Sequence, residues 1–186
     1  MSKVPHNMNF SIGDDLREVP DDAVQMQKGL AWLENELMTS KNQATPKEAA
    51  LLSQIGVYAR ILGDLDLAED SFNKAIEILE CAGRPDHILG VKLRLAIVHQ
   101  FRGAYTKADN FYHNAIKAIR SSKDERVSKY LDFALQHLGK SRFEQKLYQE
   151  SLDYFLEALE IRLMKGDIEL IGSTEKAIAK IREKLG

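Results

Sequence analysis

The sequence has 186 residues, of which 44% are hydrophobic and 29% are charged, so it is long enough to bury one continuous core beneath a soluble surface. Its 26 basic and 28 acidic side chains nearly balance, which argues against a nucleic-acid partner or a membrane surface, because phosphate binding needs clustered positive charge. The single cysteine rules out a disulfide or a thiolate metal site within this sequence and suits a reducing compartment.

The first twenty residues mix proline, asparagine, glycine and aspartate without periodicity, which predicts a flexible arm over residues 1–20. They also lack the apolar core of a signal peptide, and no apolar run in the sequence approaches the roughly 18 residues of a membrane span. We therefore expect a cytoplasmic protein without a membrane partner. The remaining residues, 21–186, are predicted to form one domain.

A helix is predicted over residues 21–39, because apolar side chains recur there at four-three-four spacing. The positions are Met26, Leu30, Leu33 and Leu37, with Trp32 beside them. This apolar stripe has to be buried against another part of the protein.

Three segments with one common order of residue types follow the polar loop after residue 39, and each is predicted to be a pair of helices. The order is a small residue in the first helix, then a small residue, an aromatic and another small residue in the second. These positions are Gly56, Ala68, Phe72 and Ala75 in residues 46–82; Ala96, Ala108, Tyr112 and Ala115 in residues 86–121; and Gly139, Ser151, Phe155 and Ala158 in residues 123–165. A capping helix is predicted over residues 167–186.

The repeated small residues have a packing role, because a larger side chain would fill the space that the neighbouring helix needs. The aromatic four residues after the second small residue lies on the same helical face and is expected to reach toward the next repeat. An ordinary antiparallel bundle would show the apolar periodicity but gives no reason for this order to recur. The pattern therefore favours a helical repeat protein, with units about 40 residues long.

This small-small-aromatic-small order resembles the tetratricopeptide repeat. The longer connections are similar to the repeats of kinesin light chains and of bacterial peptide-sensing regulators. The resemblance implies an all-α fold: a right-handed superhelical solenoid of antiparallel helix pairs, with three repeats between an amino-terminal helix and a carboxyl-terminal capping helix. The sequence departs from the family pattern at Ala59, His99 and Arg142, where the first helices usually carry tyrosine.

The resemblance further implies that the first helices of successive repeats line a concave groove. The candidate partner-binding residues of this groove are Val57, Arg60, Ile61, Leu93, Ile97, Gln100, Phe101, Phe133, Gln136, Lys140 and Phe143. Most of them are large and apolar. Two interpretations stay open: the groove binds a peptide or amphipathic helix of a partner, or it is covered by the helix over residues 21–39 or by a second copy in a homodimer.

No motif for catalysis, a cofactor or a metal is found. The sequence lacks phosphate-binding and dinucleotide-binding glycine loops, and no two histidines are spaced for chelation on one helix. We therefore expect a non-enzymatic adaptor without a cofactor. The alternative is a regulatory or immunity-type protein that senses a small peptide or inhibits one dedicated partner.

Overall fold

The computed structural model describes residues 3–40 and 44–186, so the first two residues of the predicted arm and residues 41–43 of the polar loop before the first repeat lie outside the described residues. In chain order the elements are β1 (Phe10–Ile12), β2 (Glu18–Pro20), α1 (Ala23–Thr39), α2 (Pro46–Ile61), α3 (Leu65–Cys81), α4 (Pro85–Phe101), α5 (Tyr105–Ser121), α6 (Glu125–Ser128), α7 (Leu131–Glu144), α8 (Tyr148–Lys165) and α9 (Ile168–Leu185). The chain divides after Arg102 into two compact units. No helix in the described ranges is both long and apolar enough to cross a membrane.

Local sequence rules set several helix starts. The Thr45 hydroxyl accepts a hydrogen bond from the Glu48 amide at 3.3 Å, and Pro46 occupies the first helical position of α2. The Asp22 carboxylate likewise caps α1, and Asp64 caps α3. Each cap satisfies one of the amides that a helix start leaves without a partner.

In the amino-terminal unit, α1 to α4 pack on one another in chain order, and α2 also contacts α4 and β2. Leu30 and Leu33 of α1 join one buried cluster with side chains of α2, α3 and α4, so the apolar stripe of α1 belongs to the core. A Cβ atom added at Gly56 would lie 2.8 Å from the Phe72 ring. The glycine therefore makes room for the aromatic ring of its own helix pair, and Phe72 also belongs to one buried cluster with Val91 and Val98 of α4.

The amino-terminal segment contains regular structure, which corrects the prediction of a flexible arm. Strands β1 and β2 pair in antiparallel register, with Ser11 opposite Val19. The Asp21 amide donates to the Asn9 carbonyl at 3.1 Å. We call residues 10–20 the hairpin. Its contacts are with residues far along the chain, so local composition does not reveal them.

In the carboxyl-terminal unit, α7 packs against α5 and α8, and α9 packs against α8. The Phe155 ring fills the space beside Gly139, where an added Cβ atom would lie 2.7 Å from it. Ser151 replaces the alanine of the other repeats, and its hydroxyl donates to the Gly139 carbonyl at 2.8 Å. The small positions of this pair are therefore used for close packing, as the sequence predicts.

The turns within the helix pairs need a left-handed backbone at one position. Gly63 has φ of 89° and Gly103 has φ of 75°, whereas Lys146 holds the corresponding place with φ of 62°. Glycine adopts this conformation without steric cost, but a residue with a Cβ atom is strained there by roughly 1–2 kcal/mol. The turn between α7 and α8 is therefore the strained one of the three.

Candidate functional site

The candidate site in the amino-terminal unit is the surface where α2 and α4, the first helices of two successive pairs, lie against each other. Arg60, near the end of α2, and Phe101, the last residue of α4, form the part of it that the hairpin contacts. We call this surface the α2–α4 face. The hairpin is seated on it.

A buried ion pair joins the hairpin to this face. Nη1 of Arg60 donates to Oε2 of Glu18 at 2.8 Å, and the two side chains are 5% and 9% exposed. A charge this deeply buried is tolerated only when it is paired, because removing it from water is costly. Glu18 therefore neutralises an arginine that the fold has buried in the α2–α4 face.

Two guanidinium groups stack on the Phe101 ring. The Cζ atom of Arg17 lies 4.4 Å from the ring centroid and that of Arg60 lies 4.7 Å from it. Arg17 also donates from Nη1 to the Phe101 carbonyl at 3.5 Å. Stacking of a guanidinium on an aromatic ring is favourable by about 0.5–2 kcal/mol, depending on exposure. The ring thus acts as a platform for cationic side chains.

Leu16 is the apolar anchor of the hairpin, with 1% of its surface exposed. Its backbone has φ of 63°, which costs roughly 1–2 kcal/mol for a residue with a side chain. Burial of a leucine side chain contributes about 1.5–3 kcal/mol and offsets this strain. The Asp15 carboxylate supports the turn by accepting from the Arg17 amide at 3.0 Å.

One donor in the α2–α4 face is not used. The Nε atom of Arg60 is buried and has no hydrogen-bond partner among the described residues. A buried polar atom normally finds a partner, because leaving it unsatisfied costs about 1–3 kcal/mol. The hairpin therefore satisfies Arg60 only in part.

The other groove residues predicted for this unit are largely inaccessible. Ile61, Leu93, Ile97 and Gln100 are buried, and Val57 is half-buried. Gln100 and Leu93 have no exposed surface. The chemistry that this face presents to the hairpin is accordingly that of Arg60 and Phe101, which makes it more polar than the apolar groove expected from the sequence.

The four groove residues predicted in the carboxyl-terminal unit pack within that unit. Phe133 and Gln136 are half-buried, while Lys140 and Phe143 are buried. The centroid of the Phe133 ring lies 4.3 Å from that of His137, and the centroid of the Phe143 ring lies 5.4 Å from that of Tyr148. Gln136 accepts hydrogen bonds from Arg162 and Thr174.

A buried polar cluster around Arg162 fixes α9 and α8 to α7, and sequence reasoning did not find it. Nε of Arg162 donates to Asp132 at 2.9 Å, and its Nη1 donates to the Thr174 hydroxyl at 2.6 Å. Lys165 donates to the second oxygen of Asp132. Arg162 is 1% exposed. No local pattern links residues 30 positions apart, which explains why the cluster was missed.

Acid should weaken this cluster. Burial by itself would raise the pKa of Asp132, but the hydrogen bonds and charges of Lys165 and Arg162 outweigh it and hold that pKa below its ordinary value. A lowered pKa in the folded state means that Asp132 contributes stability above its unfolded pKa, about 3.9, and that this contribution is lost as pH falls through the folded pKa. In urea titrations, the advantage of the wild type over Asp132→Asn should shrink below about pH 4.

The control for the substitution is Asp153→Asn, which removes an exposed carboxylate of α8. At neutral pH its free energy of unfolding should lie within about 0.5 kcal/mol of the wild-type value. A wild-type advantage over Asp132→Asn that persists unchanged to about pH 2, well below the ordinary aspartate range, would contradict the assigned charge state.

The described ranges contain no group of three or more His, Cys, Asp or Glu side chains that could hold a metal ion. The α2–α4 face can therefore bind a segment of chain, because the buried cation Arg60 and the aromatic ring of Phe101 both contact the hairpin.

A family model described as a tetratricopeptide repeat matches residues 49–78. Among solved structures, the chain is similar to the nearly identical TPR-like repeats of a kinesin light chain from Podosopora anserina, with a TM-score of 0.58 and 14% identity over 88% of this chain and 80% of that one. A variant of those repeats gives a TM-score of 0.60 at 13% identity with the same coverage. BtubC (BKLC) from P. vanneervenii gives 0.51 at 14% identity, over 86% and 74%. No curated protein matches the sequence significantly.

These likenesses, together with the paired helices and the glycine–aromatic contacts, confirm the resemblance to the tetratricopeptide repeat and the all-α helical-repeat fold class that the sequence predicts.

Proposed function

We propose that this chain, whose fold is that of the tetratricopeptide repeats, is a non-enzymatic protein-interaction module that binds a peptide or amphipathic helix of another protein in the cytoplasm. The fold supports the general role in protein interaction, because tetratricopeptide repeats are typically interaction modules. The hairpin is the observation that supports the binding of a peptide or helix. The α2–α4 face already holds an extended segment of chain through Arg60 and Phe101.

The binding surface in this proposal is narrower than the predicted groove. Arg60 and Phe101 supply the specific contacts, and Val57 lies half-buried on the same helix as Arg60. The buried residues of the predicted set in this unit pack beneath this surface and support it. They are Ile61, Leu93, Ile97 and Gln100. Within the carboxyl-terminal unit, considered by itself, Phe133 and Gln136 are the half-buried members of the predicted set and are the ones proposed to contact a partner, whereas Lys140 and Phe143 are buried.

Phe101→Ala tests the proposed function by removing the aromatic platform. With the full chain as bait in affinity capture from the native cell, we expect bound partners to be recovered at least tenfold less than with the wild type, roughly the loss that truncating a central aromatic contact causes. Phe111→Ala is the matched control, because it truncates a half-buried phenylalanine on α5, outside the predicted groove. Equal recovery by both variants, with unchanged thermal melts, would contradict binding at this face.

The second candidate function is that of a regulatory or immunity-type protein whose face stays closed until one dedicated peptide or partner arrives. The seated hairpin favours it, since an interaction module with an occupied face is inhibited by its own chain. This candidate makes the opposite prediction for the same bait. Loss of the Phe101 platform should loosen the hairpin and raise, rather than lower, the recovery of partners.

A further inference from the structure

The contacts of the hairpin specify the chemistry of a ligand. Along three consecutive residues, Leu16 is buried, Arg17 stacks on Phe101 and Glu18 pairs with Arg60. The side chains of the hairpin that are buried most deeply are thus a leucine and, two positions later, a carboxylate. Because a buried arginine requires an opposite charge, any segment that replaces the hairpin has to bring an acidic group to Arg60.

Three features make the hairpin an imperfect ligand. Leu16 needs a left-handed backbone to become buried, which is strained for a residue with a side chain. Nε of Arg60 has no acceptor among the described residues. The hydrogen bond from Arg17 to the Phe101 carbonyl is long, at 3.5 Å. A peptide with an unstrained backbone and a second acceptor near Arg60 would make better contacts with the same surface.

We propose that the α2–α4 face is a binding site for a peptide segment of another protein in which a basic residue that stacks on Phe101 is followed by an aspartate or glutamate that pairs with Arg60, and that Arg17 and Glu18 of the hairpin occupy this site in the same way. This inference rests on the proposed function and adds the class of partner. Binding exchanges the hairpin for the partner peptide, and the Arg60 charge stays paired throughout.

The test uses the full chain with Leu16→Ala and Glu18→Gln, which removes the anchor and the charge of the hairpin. The probe is a fluorescein-labelled peptide with the sequence of residues 8–22, and binding is followed by fluorescence polarisation. We expect the double variant to bind the probe at least roughly tenfold more tightly than the wild type does, because no resident segment competes. A probe in which the Glu18 position carries glutamine should bind at least roughly tenfold more weakly, because it leaves the buried arginine unpaired.

Two controls keep the result interpretable. Val19→Ala truncates an exposed hairpin residue and should bind the probe as weakly as the wild type. If the double variant does not fold, Leu16→Asp replaces it, because that change expels the apolar anchor while Glu18 and Arg60 stay intact. Hydrogen exchange at the Ser11 and Val19 amides reports whether the hairpin has left the face.

Each outcome decides between the ideas. If the hairpin stays protected in the variants, Leu16 and Glu18 do not hold it and the inference is overturned. If the hairpin is released and the glutamine probe binds as well as the acidic one, the ligand class is wrong while the proposed function survives. If the hairpin is released and neither these probes nor partners in the capture experiment bind, the proposed function fails as well.

Discussion

Replacing Arg162 by methionine should lower the free energy of unfolding by about 3–5 kcal/mol. Arg162 is one of the most deeply buried side chains of the chain and holds Asp132, Gln136 and Thr174 through its guanidinium group. Methionine fills a similar volume, so the loss comes from the polar contacts. Asp132 keeps Lys165 as a partner, but that ammonium is partly exposed and leaves one carboxylate oxygen without its arginine.

Urea denaturation followed by far-ultraviolet circular dichroism measures this effect. Arg120→Met is the control, because Arg120 pairs with Glu157 at the surface with both side chains partly exposed, and such pairs contribute at most about 1 kcal/mol. The double variant Arg162→Met, Asp132→Leu should recover part of the loss, since it removes the carboxylate left behind. Equal unfolding midpoints for Arg162→Met and Arg120→Met would show that the cluster does not stabilise α9.

Gly139→Ala should destabilise the protein by about 1–3 kcal/mol, although the same change in an exposed helix usually stabilises. The new methyl group would lie 2.7 Å from the Phe155 ring, which is fully buried, so the close packing of the core opposes its displacement. Either the ring leaves its preferred position or α7 and α8 move apart, and both lose packing contacts.

Gly172→Ala is the matched control. Gly172 lies within α9, and an added Cβ atom there meets no atom within 4 Å. Alanine is a better helix former than glycine by about 0.5–1 kcal/mol, so this variant should be stabilised. The two substitutions are chemically identical, and thermal melts should move in opposite directions. Melts that move in the same direction would contradict the packing role assigned to Gly139.

The repeat scaffold could be predicted because its information is local. Gly139 and Phe155 occur at fixed offsets within one helix pair, and the same order recurs at Gly56 and Phe72. A side chain's place in such a pair depends on neighbours about 16 residues away. Repetition then distinguishes this packing from ordinary amphipathic helices.

The occupant of the α2–α4 face could not be predicted, because its contacts are not periodic. Glu18 meets Arg60 across 42 positions, and Arg17 meets Phe101 across 84. The segment that carries Glu18 has the composition of a mobile arm. The sequence makes Arg60 and Phe101 candidates only through their places on first helices. No offset along α2 encodes the pairing of Arg60 with a carboxylate of the hairpin.

The hairpin also sets a threshold for any competitor. Being tethered to α1, it returns to its site at the same rate whatever the protein concentration. If closure is favoured by about 2 kcal/mol, roughly one molecule in thirty is open at any time, and a competing ligand binds with an apparent Kd about thirtyfold weaker than its intrinsic Kd. Weak chance ligands are thereby rejected without a steric gate. How strongly weak ligands are excluded depends on how tightly the hairpin binds the α2–α4 face. Substitutions in the hairpin therefore change the apparent affinity for a partner while the α2–α4 face stays unchanged.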